Sequence, residues 1–329
     1  MELFFDIGIT VVLFFQGLGD WLTTPMEIIT FMGSEEFYLL ILPGIYWSID
    51  ATLGIRMGVI LLLTTSLNVF LKWSFHLPRP YWYDSRVLGR HAETGFGAPS
   101  GHSQTPAAIL GLIAVSVKRR WASIVLISLI GLIGISRLYL GVHFPHDVLL
   151  GWFFGWLSLW LFLRYENDIK TWLSKQGLGK QVATVLFTSL AIILVGGLIL
   201  GTQGGFEIPS EWIENALADQ PDGMPDPLNL KSVITPSATL FGLGVGALLL
   251  NTRGVYSAKG DWWKRLLRYL VGIIGVFLIW AGLDAIFPEG PSFLAYSLRF
   301  IRYALVGLWI FAGAPLIFWR LNLASPVKN

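Results

Sequence analysis

Long apolar stretches alternate with short polar ones along almost the whole chain. A helix needs about 20 apolar residues to cross a bilayer. Runs at or near that length occur at 37–47 with its flanks, 55–70, 102–117, 121–136, 148–162, 182–200, 233–250, 270–287 and 303–319. The pattern predicts an all-α fold, a polytopic membrane helical bundle of about nine transmembrane helices. Residues 1–33 fit this less well, because the apolar run 3–15 is short and interrupted by Asp6. They are expected as helices lying in the membrane interface or dipping into it, with a short extra span as the alternative. The hydrophilic loop 201–231 carries a possible interfacial helix at 210–218, presenting Trp212, Ile213 and Leu217. Gly242 and Gly246 stand four apart in a span, a small-residue spacing that lets helices approach closely.

The basic residues give the bundle a direction. Lys118, Arg119 and Arg120, then Arg164, Lys170, Lys175 and Lys180, then Arg253, Lys259, Lys264, Arg265 and Arg268, and finally Arg320 and Lys328 fall on one side of the nine-span arrangement. Positive charge in short loops marks the cytoplasmic side. The N-terminus is then outside and the C-terminus inside. The polar stretches around Arg79, His102 and His143 face the periplasm or exterior, or the reticulum lumen in a eukaryote. The N-terminus lacks a basic segment and a clear cleavage site, so no removed signal peptide is expected. The chain divides into N-terminal interfacial helices (1–33), a motif-bearing core (34–165), a cytoplasmic linker (166–181, in the polar run that begins at Arg164) and a four-span C-terminal region (182–329).

Composition agrees with a membrane protein. The chain is 54% hydrophobic and 13% charged, against about 25% charged in soluble proteins. A net charge of +2 gives no footprint for nucleic acid. With no cysteine there is no disulfide, no thiolate nucleophile and no cysteine metal site.

Three polar islands interrupt this apolar background, all on the same side. The first runs from Lys72 to Arg79 and Pro80, the second is Pro99-Ser100-Gly101-His102, and the third runs from Ser136 and Arg137 through His143 and His146 to Asp147. Ionisable groups beside membrane-length segments are costly and mark functional sites. Arginine suits bidentate contact with phosphate oxygens. Gly101 permits close backbone approach to an anion, and a helix starting there would aim its N-terminus at it. His143 and Asp147 share one face if the following helix has already begun, and a carboxylate can fix an imidazole's tautomer. The same pair also reads as an ion pair at a helix end. Taken together, the islands suggest phosphoryl transfer, where positioning and charge stabilisation do most of the work.

In this order, the islands resemble the signature of the type-2 phosphatidic acid phosphatase superfamily, which also contains the vanadium haloperoxidases. The pattern Lys-x6-Arg-Pro, Pro-Ser-Gly-His, Ser-Arg-x5-His-x3-Asp is met at every position: Lys72, Arg79, Pro80; Pro99, Ser100, Gly101, His102; Ser136, Arg137, His143, Asp147. The stretches 71–82, 93–102 and 136–147 look like the glucose-6-phosphatase forms of the three motifs, and 239–244 resembles part of that enzyme's second half. Sphingosine-phosphate phosphatases are similar. Asp147 departs from the glucose-6-phosphatase pattern, which often lacks that carboxylate. The resemblance implies a membrane phosphatase that hydrolyses a phosphomonoester, lipid or sugar, with a catalytic helical core in its first half. It implies His143 as nucleophile through a phosphohistidine, Asp147 as its orienting carboxylate and His102 as acid and base. It also implies Lys72, Arg79, Ser100, Gly101 and Arg137 as the phosphate cradle. No metal or other cofactor is implied. The partners are the phosphorylated substrate and membrane lipid; the sequence leaves the oligomeric state open. The alternatives are an isoprenyl diphosphate phosphatase, a haloperoxidase, which membrane embedding argues against, and a catalytically inactive lipid-binding or transport protein.

Some further residues have plainer readings. His143, His146 and Asp147 lack the extra carboxylates of a two-metal site. Asn68 reads as a link between helices. Tyr81, Trp82 and Tyr83 read as interface anchors. Asp284, Arg299 and Arg302 read as an ion-pair set between the last spans.

Overall fold

The computed structural model describes residues 2–326; Lys328, counted above among the cytoplasmic cations, lies outside them. The described chain is built of helices joined by loops. Helix α1 (Glu2–Gln16), a 3-10 turn at Asp20–Leu22 and α2 (Thr23–Phe31) are followed by α3 (Glu35–Ser48), α4 (Ala51–Phe75) and the short α5 (Pro80–Tyr83). After a loop come α6 (Gly101–Val117), α7 (Arg120–Tyr139), α8 (Pro145–Ser174) and α9 (Leu178–Gly201). The remainder holds α10 (Ser210–Asp219), α11 (Lys231–Asn251), α12 (Trp262–Asp284), α13 (Phe293–Leu308), a π-helical turn at Trp309–Gly313 and α14 (Ala314–Arg320).

Each apolar segment read as a span folds as a helix. Among the described residues, seven helical segments are long and apolar enough to cross a bilayer, and eight if a bent pair counts as one span. Nine is therefore approximate. Helices α3 and α6 fall short at 14 and 17 residues, because each begins where polar chemistry interrupts the apolar run: Glu35 and Glu36 in one, the Ser-Gly-His motif in the other. The N-terminal pair is bent by 84° between Leu3–Gln16 and Asp20–Phe31. The polar run read as a linker is helical as far as Ser174, continuing α8.

Two compact units emerge. The first comprises Met1–Phe37, Leu67–Leu161 and Gly197–Asn229. Its apolar centre includes Ala107 and Leu110 of α6 against Ile130 and Ile133 of α7, with Ile29 and Met32 packed on them. Helices α6 and α8 approach closely at two glycines of α8. A β-carbon on Gly151 would stand 2.6 Å from the Ser100 carbonyl oxygen, and one on Gly155 would stand 2.4 Å from that of Gln104. The hydrophilic loop from the second half folds into this same unit. Helix α10 packs beside α5, where Asn215 Nδ2 donates to the Trp82 carbonyl at 3.0 Å. Trp73 Nε1 donates to the Pro227 carbonyl at 2.8 Å, and the Asp226 N–H to the Thr94 carbonyl at 3.0 Å.

The second unit comprises Tyr38–Ser66, Phe162–Gly196 and Leu230–Asn329. Here Gly242 lies against the Ala304 backbone and Gly246 against Phe311, the close approach that their spacing predicts. Arg268 is buried and donates to four carbonyls, those of Trp47, Ala258, Lys259 and Leu323, as a cation out of water requires. Arg302 pairs with Asp284, and Arg299 Nε donates to Thr235 Oγ1 at 2.9 Å. That is the interhelical set the sequence suggests.

The glycine contact gives a direct test. Gly155→Ala should lower stability by about 1–3 kcal/mol through overpacking, seen as a lower melting temperature in detergent. Gly179→Ala, at a position where an added β-carbon meets nothing within 4 Å, should leave the melting temperature unchanged or slightly raised. Equal melting temperatures for the two variants would remove the close α6–α8 contact from the account.

Candidate active site

Arg79 is the most heavily bonded side chain of the first unit. It stands just before α5, with Pro80 at the first helical position, where its missing N–H costs nothing. Its guanidinium is fully buried. Nε donates to the Gly95 carbonyl at 2.7 Å, Nη1 to the Val142 carbonyl at 3.0 Å, and Nη2 to the Phe96 carbonyl at 3.3 Å. Nη1 also lies 3.3 Å from His143 Nε2, and Nη2 lies 3.2 Å from Glu93 Oε2. One side chain thus ties the loop before the Ser-Gly-His motif to the loop before α8.

Arg137 sits in the last turn of α7, also fully buried. Its Nη1 donates to Thr30 Oγ1 at 2.8 Å, and its Nη2 bonds Glu93 Oε1. The chain then turns through Gly141, whose φ of +72° and contact with the Leu88 carbonyl leave no place for a β-carbon. That turn delivers His143 beside Arg79.

His143 precedes α8 rather than lying on it. The helix starts at Pro145, so the shared helical face expected for His143 and Asp147 is replaced by a different device. Asp147 is the third residue of the helix, and its Oδ2 reaches back to accept the Phe144 N–H at 2.9 Å. This is the acidic half of a capping box. The same oxygen lies 3.3 Å from His143 Nδ1. Arginine has only donors, so the contact with Arg79 makes Nε2 the acceptor and puts the imidazole proton on Nδ1, toward Asp147. Burial, and then the charges of Arg79, Arg137, Lys72 and His102, hold the His143 pKa well below the usual imidazole range. Its ring is neutral at ordinary pH, with a lone pair on Nε2. A β-carbon on Gly97 would stand 3.0 Å from Asp147 Oδ2 and 2.4 Å from the Pro78 carbonyl.

Ser100 stands at the N-cap position of α6, and its N–H donates to the Asp147 carbonyl at 2.9 Å. Gly101 and His102 are the first two residues of that 17-residue helix. Asn68 Nδ2 bonds the Pro99 carbonyl at 3.1 Å and Gln104 Oε1 at 2.8 Å, fixing the start of α6 to α4 in the linking role expected of it. Lys72 is in the last turn of α4, where an added β-carbon on Gly95 would be 3.8 Å from its Nζ. Lys72 and His102 act through space on the same set of charges, Arg79, Arg137 and Glu93.

The structure therefore joins Arg79, Arg137, His143 and Asp147 into one bonded group, with Ser100 attached through the backbone. Glu93 and Thr30 belong to that group and were missed by sequence reasoning. Glu93 lies in the run Glu-Thr-Gly-Phe-Gly-Ala-Pro-Ser-Gly-His, and its only signal is a lone acid in a glycine-rich approach to a cationic motif. Thr30 carried no signal. Tyr81 and Trp82 are not interface anchors: both are buried, with the Arg79 guanidinium 5.9 Å from the Trp82 ring and the Tyr81 hydroxyl bonded to the Glu93 backbone. Their aromatic signal is the same whether the cover is lipid headgroups or, as here, protein. His146 is the second residue of α8 and stacks on Phe144, its Nε2 3.2 Å from Asp147 Oδ1 but outside hydrogen-bonding geometry. Among the described residues, no three His, Asp or Glu side chains gather as metal ligands.

Known proteins resemble this chain in sequence over most of its length. The family profile of the PAP2 superfamily matches residues 53–170, and that of the PAP2 superfamily phosphatase transmembrane extension matches 234–326. Glucose-6-phosphatase 3 of Homo sapiens is 28% identical over 352 residues, covering 99% of this chain and 97% of that protein. Phosphatidylglycerophosphatase B of Bacillus subtilis (strain 168) is 32% identical over 168 residues, 47% of this chain and 80% of that protein. The crystal structure of a transmembrane PAP2-type phosphatidylglycerolphosphate phosphatase from Bacillus subtilis covers 50% of this chain and 86% of its own, with 26% identity and a TM-score of 0.43. On the sequence matches, the chain belongs to the PAP2 superfamily, among its multi-pass membrane phosphatases.

Proposed function

We propose that this phosphatase cleaves a phosphomonoester by way of a phosphohistidine on His143. The observation that carries the reading is the line Asp147–His143–Arg79: a carboxylate on Nδ1, a lone pair on Nε2, and a guanidinium beside that lone pair. Nε2 attacks phosphorus, and the bond from phosphorus to the leaving oxygen breaks. His102 gives that oxygen a proton, so the alcohol leaves neutral. His102 then takes a proton from water as the water oxygen attacks phosphorus, and the bond to Nε2 breaks to release phosphate. Asp147 holds the Nδ1 proton and stabilises the positive charge that develops on the ring. Lys72, Arg79, Arg137, Ser100 and the Gly101 N–H hold the three oxygens of the transferring group, whose charge spreads as the bonds change. Positioning and fixed cationic charge do the work here, and the reading calls for no metal.

The substrate is a lipid phosphate or a sugar phosphate. The near full-length match to glucose-6-phosphatase 3 favours the sugar, and the match of the motif half to phosphatidylglycerophosphatase B favours the lipid. The basic loops support a site on the non-cytoplasmic side and a cytoplasmic C-terminus. Phosphate release from glucose, phosphatidic, lysophosphatidic, sphingosine and isoprenyl phosphates, measured on purified protein in detergent, decides the class. Release from none of them would return the chain to the inactive, lipid-binding alternative.

Two predictions follow from this chemistry. Turnover should survive chelation of divalent ions and be suppressed by vanadate, which mimics five-coordinate phosphorus. Activity that a chelator abolishes and a divalent ion restores would overturn the metal-free route. The histidines should also separate by leaving group. His143→Ala should be inactive on every substrate and yield no acid-labile phosphoenzyme. His102→Ala should lose about a hundred- to ten-thousand-fold on an alkyl phosphate, and much less on a nitrophenyl phosphate, whose leaving group needs little protonation. Asp147→Asn should lie between. A His143→Ala variant that turns over while His102→Ala does not would reverse the roles.

A further inference from the structure

Glu93 brings a carboxylate into a site built of positive charge. Its Oε2 accepts from Arg79 Nη2 at 3.2 Å, and its Oε1 from Arg137 Nη2. Those guanidinium groups are the two that the functional reading gives to phosphoryl oxygens. A planar guanidinium offers the same forked geometry to carboxylate and to phosphate. A carboxylate that bridges the two arginines and a phosphoryl group that bridges them therefore exclude one another.

Most of the other donors of Arg79 are already committed. Arg79 spends Nε on Gly95, Nη1 on Val142 and His143, and one Nη2 hydrogen on Phe96. Arg137 gives Nη1 to Thr30, while its Nε is buried without a partner. The two nitrogens that face each other across the pair of arginines, and that a bridging anion would need, are the ones Glu93 now holds. Burial works to raise the Glu93 pKa, but the charges of Arg79 and Arg137, with those of His102 and Lys72, outweigh it and hold the carboxyl well below its usual range. Glu93 is thus an anion at any ordinary pH.

Its backbone is fixed and its side chain is not enclosed. The Glu93 N–H donates to the Tyr81 hydroxyl at 3.2 Å, and that hydroxyl donates to the Glu93 carbonyl at 3.0 Å. The next two carbonyls accept from the Asp226 N–H and from Arg79 Nε. The side chain itself is 20% exposed. Rotation about its own bonds can carry the carboxylate to water while the loop stays in place.

We propose that Glu93 is a resident competing ligand of the phosphate cradle, displaced by the phosphoryl group of the substrate and returning to expel inorganic phosphate after hydrolysis. The proposal rests on the functional reading above and adds a residue that limits product inhibition. Without such a ligand, product leaving the cradle would strand two buried guanidinium groups without an anion.

The test compares full-length wild type, Glu93→Gln and Glu93→Asp in detergent, with inorganic phosphate as the probe, by titration calorimetry and by product inhibition of turnover. Glu93→Gln should bind phosphate roughly tenfold or more tightly, the scale of one lost charged hydrogen bond, with the inhibition constant falling in parallel. Glu93→Asp, too short to span both arginines, should tighten binding by a smaller factor. Melting temperature separates this from a role in merely holding the arginines. Glu93→Gln should melt lower than wild type without phosphate and gain more from added phosphate. Unchanged or weaker phosphate binding in Glu93→Gln overturns the proposal; if that variant does not fold, unchanged or weaker binding in Glu93→Asp does so. A wild type that binds phosphate but hydrolyses no substrate defeats the functional reading alone. An active wild type with unaltered phosphate affinity in the variants defeats this inference alone.

Discussion

Two arginines fully out of water set the terms for the first unit. A buried guanidinium is tolerable only if its donors are met and its charge is balanced. Arg79 meets that demand with main-chain carbonyls drawn from separate stretches, Gly95 and Phe96 on one side and Val142 on the other. Satisfying this one cation therefore fixes where the loop before α6 and the loop before α8 must lie. His143 inherits its place beside Arg79 from that arrangement, and Glu93 inherits its place between Arg79 and Arg137.

The helices serve the same end by simpler means. Glycines at 151 and 155 let α8 rest on the carbonyls of Ser100 and Gln104. The helix that carries Asp147 is then held, at these two positions, close against the backbone of the helix that begins at Gly101. The back-bond from Asp147 to the Phe144 N–H fixes both the start of α8 and the acceptor for His143. One carboxylate closes a helix and orients an imidazole, so its identity is constrained twice.

Much of this was legible in the sequence, for identifiable reasons. Membrane helices announce themselves because lipid demands unbroken apolar length. The three motifs stand out because Arg79, Arg137, His143 and Asp147 are expensive residues in such a chain. What the sequence hid depends on contacts between distant segments. Glu93 looks like an ordinary loop acid until Arg79 and Arg137, 14 and 44 residues away, are placed on either side of it. Thr30 gains its meaning only from the fold of α2 against α7. The burial of Tyr81 and Trp82 required a cover from residues more than a hundred positions later, and no local pattern encodes that. The helix start at Pro145 was a matter of two residues, yet it changed a shared helical face into a capping bond.

The cover over Tyr81 and Trp82 comes from the stretch 197–229, and with it the first unit is discontinuous in the chain. Its motifs end at Asp147, but Trp73 and Thr94 complete their hydrogen bonds only with Pro227 and Asp226. A polypeptide is made from its N-terminus, so the segment carrying Glu93 waits, during synthesis, for two further long helical passages before its last partners arrive. Cutting the gene after the third motif would preserve every residue assigned to the chemistry and still strip one wall from the room in which that chemistry takes place.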